Sequence, residues 1–169
     1  MENRQKTIIL CCTMDTKSNE GLFLKKELEA FGHQVHIIDM GMKKPSPPGV
    51  FITQAQVAGP YYEQIVSSNV RSEASAYMVM GLKSIVRQLY ADGKLDGIMA
   101  IGGSGGTTMA SAAMHELPLG VPKIVVTTMA SGNTLPYVQG EDVLLLNPVV
   151  DIQNLNFLTE HILRQAAAI

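Results

Sequence analysis

The stretch Gly97-Ile-Met-Ala-Ile-Gly-Gly-Ser-Gly-Gly-Thr-Thr108 decides the fold. Its first five residues form an apolar run suited to a strand covered on both faces. Four glycines around Ser104 then open onto a helical pattern from Thr107 to His115. A buried strand that turns through small residues into a helix is the repeating unit of a doubly wound α/β protein. Working outward, similar runs occupy Thr7 to Cys12, Val35 to Met40, Lys123 to Thr127 and Val143 to Leu146. Helical spacing separates them. Leu24, Leu28 and Phe31 mark a helix over Ser18 to Phe31, closed by Gly32. Ala74, Tyr77, Met78, Gly81, Leu82, Ile85 and Leu89 mark a longer one over Asn69 to Asp92, and a shorter helix fits Asp151 to Ala167. The expectation is one α/β domain over residues 1–169, a five-stranded parallel sheet in the Rossmann-like or flavodoxin-like order 2-1-3-4-5. Only Gly41 to Gly49 breaks the rhythm, because Pro45, Pro47 and Pro48 forbid helix continuation and central-strand pairing.

Composition bounds the function. A chain of 169 residues with 46% hydrophobic and 17% charged residues buries a core and is not disordered. A net charge of −2 gives no basic footprint for DNA or an anionic membrane. No apolar run nears the roughly 18 residues of a membrane helix, and the polar start Met1 to Lys6 is no signal peptide, which predicts a cytoplasmic protein. Cys11 and Cys12 are adjacent on a strand, project to opposite faces and read as buried thiols. The ten methionines are scattered as core filler, and the four histidines lack ligand spacing.

The chemistry is expected at the carboxyl edge of the sheet. Gly102, Gly103, Gly105 and Gly106 let backbone N–H groups approach a ligand, and the following helix adds its positive end, so a phosphate is the natural guest. Ser104, Thr107 and Thr108 add hydroxyls. The loop is neither a Walker A motif nor the Rossmann fingerprint. It does satisfy the G-x-S-x-G elbow of α/β hydrolases, which makes Ser104 the nucleophile of a rival reading, with Asp142 or Asp151 and His161 as triad partners. Two other strand ends share this rim: Thr13-Met-Asp-Thr-Lys17, where Asp15 suits a helix cap and Lys17 a phosphate contact, and Thr127-Thr-Met-Ala-Ser-Gly-Asn133. A third, Asn147-Pro-Val-Val-Asp151, offers Asp151 as an N-cap.

Taken together, Thr13 to Lys17, Asp96 to Thr107, Val121 to Gly132 and Val149-Val-Asp-Ile152 resemble the N-terminal, ATP-binding domain of the tomato mosaic virus resistance protein family, over about Thr7 to Ala167. The resemblance implies ATP binding by Gly102, Gly103, Ser104, Gly105 and Thr107, with Thr13, Asp15, Lys17, Ser131 and Gly132 next; Gly106, Thr127 and Met129, on the same loops, are further candidates for the binding site. Asp39-Met-Gly41 also looks like the family pattern. Family members typically continue into a second, TIM-barrel-like domain, absent from this sequence. No reaction is implied. On this reading Asp15 holds a magnesium ion or orients Lys17, and self-association to a homo-oligomer covers exposed surface.

Overall fold

The computed structural model describes residues 5–67 and 71–169. Strand β1 (Thr7–Cys12) leads into helix α1 (Met14–Ala30) and strand β2 (Gln34–Asp39). Then come α2 (Gln54–Ala58), a 3₁₀ turn (Gly59–Tyr61), α3 (Tyr62–Ser67), α4 (Arg71–Ala91), β3 (Gly97–Gly102) and α5 (Ser104–Met114). Strand β4 (Lys123–Thr127), a 3₁₀ turn (Thr128–Ser131), α6 (Leu135–Val138), β5 (Val143–Leu146) and α7 (Phe157–Ala167) complete the chain. The sheet is parallel throughout, in the order β2-β1-β3-β4-β5. It is the α/β doubly wound architecture expected from the spacing of apolar runs.

The runs lack alternation because both faces are covered. Ile9, Cys11, Ile98, Ala100 and Val125 face one apolar layer with Val57, Met78, Leu82 and Met109 of α2, α4 and α5. Leu10, Cys12, Met99, Ile101 and Val126 face the other, with Leu24 and Leu28 of α1 and Ile162 and Leu163 of α7. Cys11 and Cys12 therefore point to opposite layers. Burial pushes the Cys11 thiol up to about 12, so it is packing rather than reactive chemistry.

Several expectations about boundaries are corrected. Helix α1 starts at Met14 rather than Ser18, and Lys17 kinks it with φ −134° and ψ 32°. Its first amide, Met14 N–H, donates to Asp39 Oδ1 at 3.0 Å, so the cap comes from the end of β2 and not from Asp15. The glycine segment is not a loop before a helix: α5 begins at Ser104 and includes Gly105 and Gly106. Residues 147–156 are not helical, with Val149 and Asn154 both at φ 67°. Asn156 caps α7 through the N–H groups of Leu158 and Thr159, a role expected of Asp151. The expected start at Asn69 lies outside the described residues. Gly32, at φ 87°, ends α1 as expected.

Segment 50–67 shows no clear periodicity in the sequence, yet it forms two short helices. The Phe51 N–H donates to the Ile37 carbonyl at 3.0 Å and the Asp39 N–H to the Ile52 carbonyl at 3.0 Å, covering the outer edge of β2. No helix among the described residues is long and apolar enough to cross a membrane.

Candidate functional site

A cleft of about 370 Å³ opens at the carboxyl edge, within the size range of small-molecule sites, roughly 300–1,000 Å³. It sits where the loops after β1 and β3 separate, the switch point at which doubly wound sheets bind ligands. Thr13, Asp15, Thr16 and Lys17 line one side and Gly103, Ser104, Gly105 and Gly106 the other. Met40, Met42, Ile65, Ala74 and Met109 form an apolar wall, and Gly41, Lys43 and Gln153 complete the rim.

Two helix N-termini converge here. As the first three amides of α5, Ser104, Gly105 and Gly106 have no intrahelical carbonyl to bond, and the Thr107 N–H is the first to find one, Gly103 O at 2.9 Å. A side chain added at Gly103 would meet nothing within 4 Å, and at Gly106 nothing closer than 3.8 Å. Neither glycine has positive φ. Backbone conformation and packing therefore leave their bareness unexplained, and what it creates is open space over free N–H groups. Gly102 differs: its Cβ would stand 3.0 Å from Gly106 Cα, so this glycine serves the strand-to-helix packing.

Lys17 lines the cleft as a buried cation. This side chain is only 8% exposed, and its Nζ donates to the Ile152 carbonyl at 2.5 Å. Among the described residues no carboxylate lies within ion-pair distance of it. The other buried lysine, Lys123, shows the contrast, since it pairs with Asp142 at the opposite edge of the sheet. Buried ammonium groups normally have an anion. Lys17 has a carbonyl and lines the cleft.

Asp15 is the sole carboxylate among the lining residues, and its Oδ2 accepts the N–H groups of Met42 (3.1 Å) and Lys43 (3.0 Å). Asp39 is fully buried beneath the cleft, where its Oδ1 accepts the Met14 and Gly41 N–H groups and its Oδ2 the Ser46 hydroxyl. Gly41 lies between these acids, since a Cβ there would fall 2.9 Å from both Asp15 Cγ and Asp39 Oδ1. Asp39 and Gly41 thus shape the β2 end of the site. Among the described residues, no group of three histidine, cysteine or acidic side chains is placed to hold a metal.

Thr107 and Thr127 are fully buried and stand behind the loop. The Gly103 carbonyl can only accept, so Thr107 Oγ1 donates to it at 2.8 Å and must accept from Thr127 Oγ1 at 2.6 Å. Thr127 in turn accepts the Met129 N–H at 3.0 Å. This relay fixes the Gly103 peptide and ties β4 to the start of α5. Thr107→Val should cost about 1–3 kcal/mol, because it leaves the buried Thr127 hydroxyl without its acceptor, while the Gly103 carbonyl keeps the Thr107 N–H; denaturant unfolding checks it, and an unchanged midpoint would refute the relay. Met129, Ser131 and Gly132 share the carboxyl edge but do not line the cleft.

The Ser104 hydroxyl is exposed and has no hydrogen-bond partner among the described residues. None of the four histidines lines the cleft. His161 stacks on Phe157 on the outer side of α7, with ring centroids 6.4 Å apart. Asp142 precedes β5, at the edge remote from Ser104, where hydrogen bonds from Lys123 and the Gly120 N–H hold its carboxyl below the usual range. Of the expected triad partners, Asp142, Asp151 and His161 do not line the cleft with Ser104.

Sequence reasoning placed Thr13, Asp15, Lys17, Gly41 and Gly103 to Gly106 at this rim. It missed Thr16, Lys43, Gln153 and the apolar wall. Ile65 and Ala74 come from helices far along the chain, and only tertiary packing carries them there.

Residues 6–169 match the N-terminal domain of the uncharacterised protein family UPF0261. A UPF0261 protein of Clostridium tetani is 38% identical over 165 residues, which is 96% of this chain and 41% of that protein. A UPF0261 protein of Rhizobium meliloti is 36% identical, covering 96% and 40%. The ToMV resistance protein Tm-1(GCR237) of Solanum lycopersicum is 36% identical over 101 residues, 60% of this chain and 13% of that one. The chain spans about two fifths of the length of the bacterial relatives it matches. A solved structure from Xanthomonas campestris pv. campestris, described as a candidate hydrolase of the α/β superfamily, aligns over 98% of this chain and 99% of its own with a TM-score of 0.50 and 12% identity. That likeness is one of fold.

Proposed function

The chain belongs to the UPF0261 family as its N-terminal domain, and on that footing we propose that the cleft binds a nucleotide, ATP by preference, in the cytoplasm. The observation that carries the reading is Lys17, a buried lysine that lines the cleft and whose ammonium bonds a carbonyl, with no carboxylate among the described residues within ion-pair distance. A phosphate between Lys17 and the free amides of Ser104, Gly105 and Gly106 would meet a point charge, N–H donors and the positive end of α5 together. Lys43 adds a second cation at the rim. The wall of Met40, Met42, Ile65, Ala74 and Met109 suits the apolar faces of a base and sugar. Asp15 is where a magnesium ion carried by the phosphates would be held.

A thermal-shift screen of nucleotides, sugar phosphates and acyl esters tests this. ATP at about 100 times its dissociation constant should add roughly 2.7 kcal/mol of stability. No stabilisation by ATP at millimolar concentration overturns the reading. Treatment with a fluorophosphonate probe should leave Ser104 unlabelled, whereas labelling abolished by Ser104→Ala would restore the hydrolase alternative.

A further inference from the structure

The two edges of the sheet are treated differently. At β2 the outer backbone groups bond to Phe51 and Ile52. At β5 no described residue bonds to the backbone of Val143–Leu146 beyond its ladder to β4. The strand reads Val-Leu-Leu-Leu, with none of the lysines, prolines or bulges that commonly blunt an open edge.

The adjoining sheet face is only partly covered. Among the described residues that side is covered by α1, α7 and Ile152 and Leu155 of the segment after β5, and Ile124 of β4 and Leu146 of β5 lie at the fringe of this apolar layer. Leu144, beside Ile124 in the parallel register, is left 44% exposed. Val149, three residues past the end of the strand, is exposed as well.

We propose that this edge joins a second copy of the chain, β5 pairing antiparallel with β5 about a two-fold axis to give a continuous ten-stranded sheet. An isologous contact needs a patch complementary to itself, and an open strand with both donors and acceptors is one. The charges agree. In registers centred on Leu144 or Leu145, Glu141 and Asp142 of one copy fall beside the uncharged stretch 146–149 of the other, so no like charges face each other. Pairing also brings Leu144 of each copy against apolar partners across the axis.

Sedimentation velocity of the whole chain at micromolar concentration tests the proposal together with hydrogen exchange. The expected result is a dimer, with amides of 143–146 exchanging more slowly at concentrations above association than below. Leu144→Lys should weaken association at least about tenfold while thermal unfolding stays cooperative. Leu22→Lys, at a somewhat more exposed leucine of α1, should leave the dimer intact. A monomer, a dimer that persists in Leu144→Lys, or exchange in β5 that ignores concentration would overturn it.

Discussion

Replacing Gly81 by alanine should destabilise the protein by about 2–4 kcal/mol, although alanine is the better helix former by about 1 kcal/mol. Gly81 sits on α4 where it crosses α2, and a Cβ there would stand 1.7 Å from the Val57 carbonyl oxygen. The obstacle is backbone, not a movable side chain tip. Bringing that pair even to 3.0 Å, the limit real Cβ atoms respect, needs a shift of about 1.3 Å between the helices. Val57, Ala58, Met78 and Leu82, all at least 97% buried, would lose their fit. The overlap therefore outweighs the propensity gain. For a chain of this size, with roughly 2–4 °C per kcal/mol, the melting temperature should fall by about 5–15 °C. Gly103→Ala is the control, since its φ of −79° and open surroundings predict a change within about 0.5 kcal/mol. Equal melting temperatures for the two variants would show that the α2–α4 crossing is not as close as described.

Lys17→Met should weaken ATP binding by roughly 1.5–3 kcal/mol, about ten- to 150-fold, and leave adenosine binding nearly unchanged. The ammonium is sheltered, so a charge-assisted bond to phosphate is not diluted by solvent as at an exposed lysine. Methionine keeps most of the volume of the stem. What it loses besides charge is the bond to the Ile152 carbonyl, and that part should appear in stability without ligand. Titrating wild type and variant with ATP, AMP and adenosine separates the two effects. Equal losses for all three ligands would make Lys17 a purely structural residue and would remove the observation on which nucleotide binding rests.

Local chemistry explains why the strands were legible and some helix starts were not. Strands β1, β3 and β4 are near-continuous apolar runs that serve two covered faces, a pattern no surface element shares. The helix starts depend on donors and caps that come from elsewhere. Four glycines read as a loop because glycine is a poor helix former, yet three of the first residues of α5 are Ser104, Gly105 and Gly106, whose cost is offset by packing against Gly102 and by the Thr107–Thr127 relay. Asp15 looked like a cap because of its position in the chain, whereas the carboxylate that reaches the end of α1 is Asp39, 25 residues from Met14.

The site divides along the same line. Chain order alone determined that the loops after β1 and β3 share one edge, because parallel strands with helical crossovers put every strand-to-helix turn on the carboxyl side; Thr13, Asp15, Lys17 and the glycines followed from that rule. Only the tertiary structure decided which of these groups face the cleft and which hold it up. Thr107 and Thr127 carry the same hydroxyl as Ser104 but spend it on each other and on Gly103, a choice set by burial that no residue type announces. Lys17 was a cation at the right place in the sequence. That it is buried, bonded to a carbonyl 135 residues away and without a carboxylate at ion-pair distance among the described residues is a product of packing between the ends of β1 and β5, because the electrostatic state of a side chain is set by what the fold brings against it.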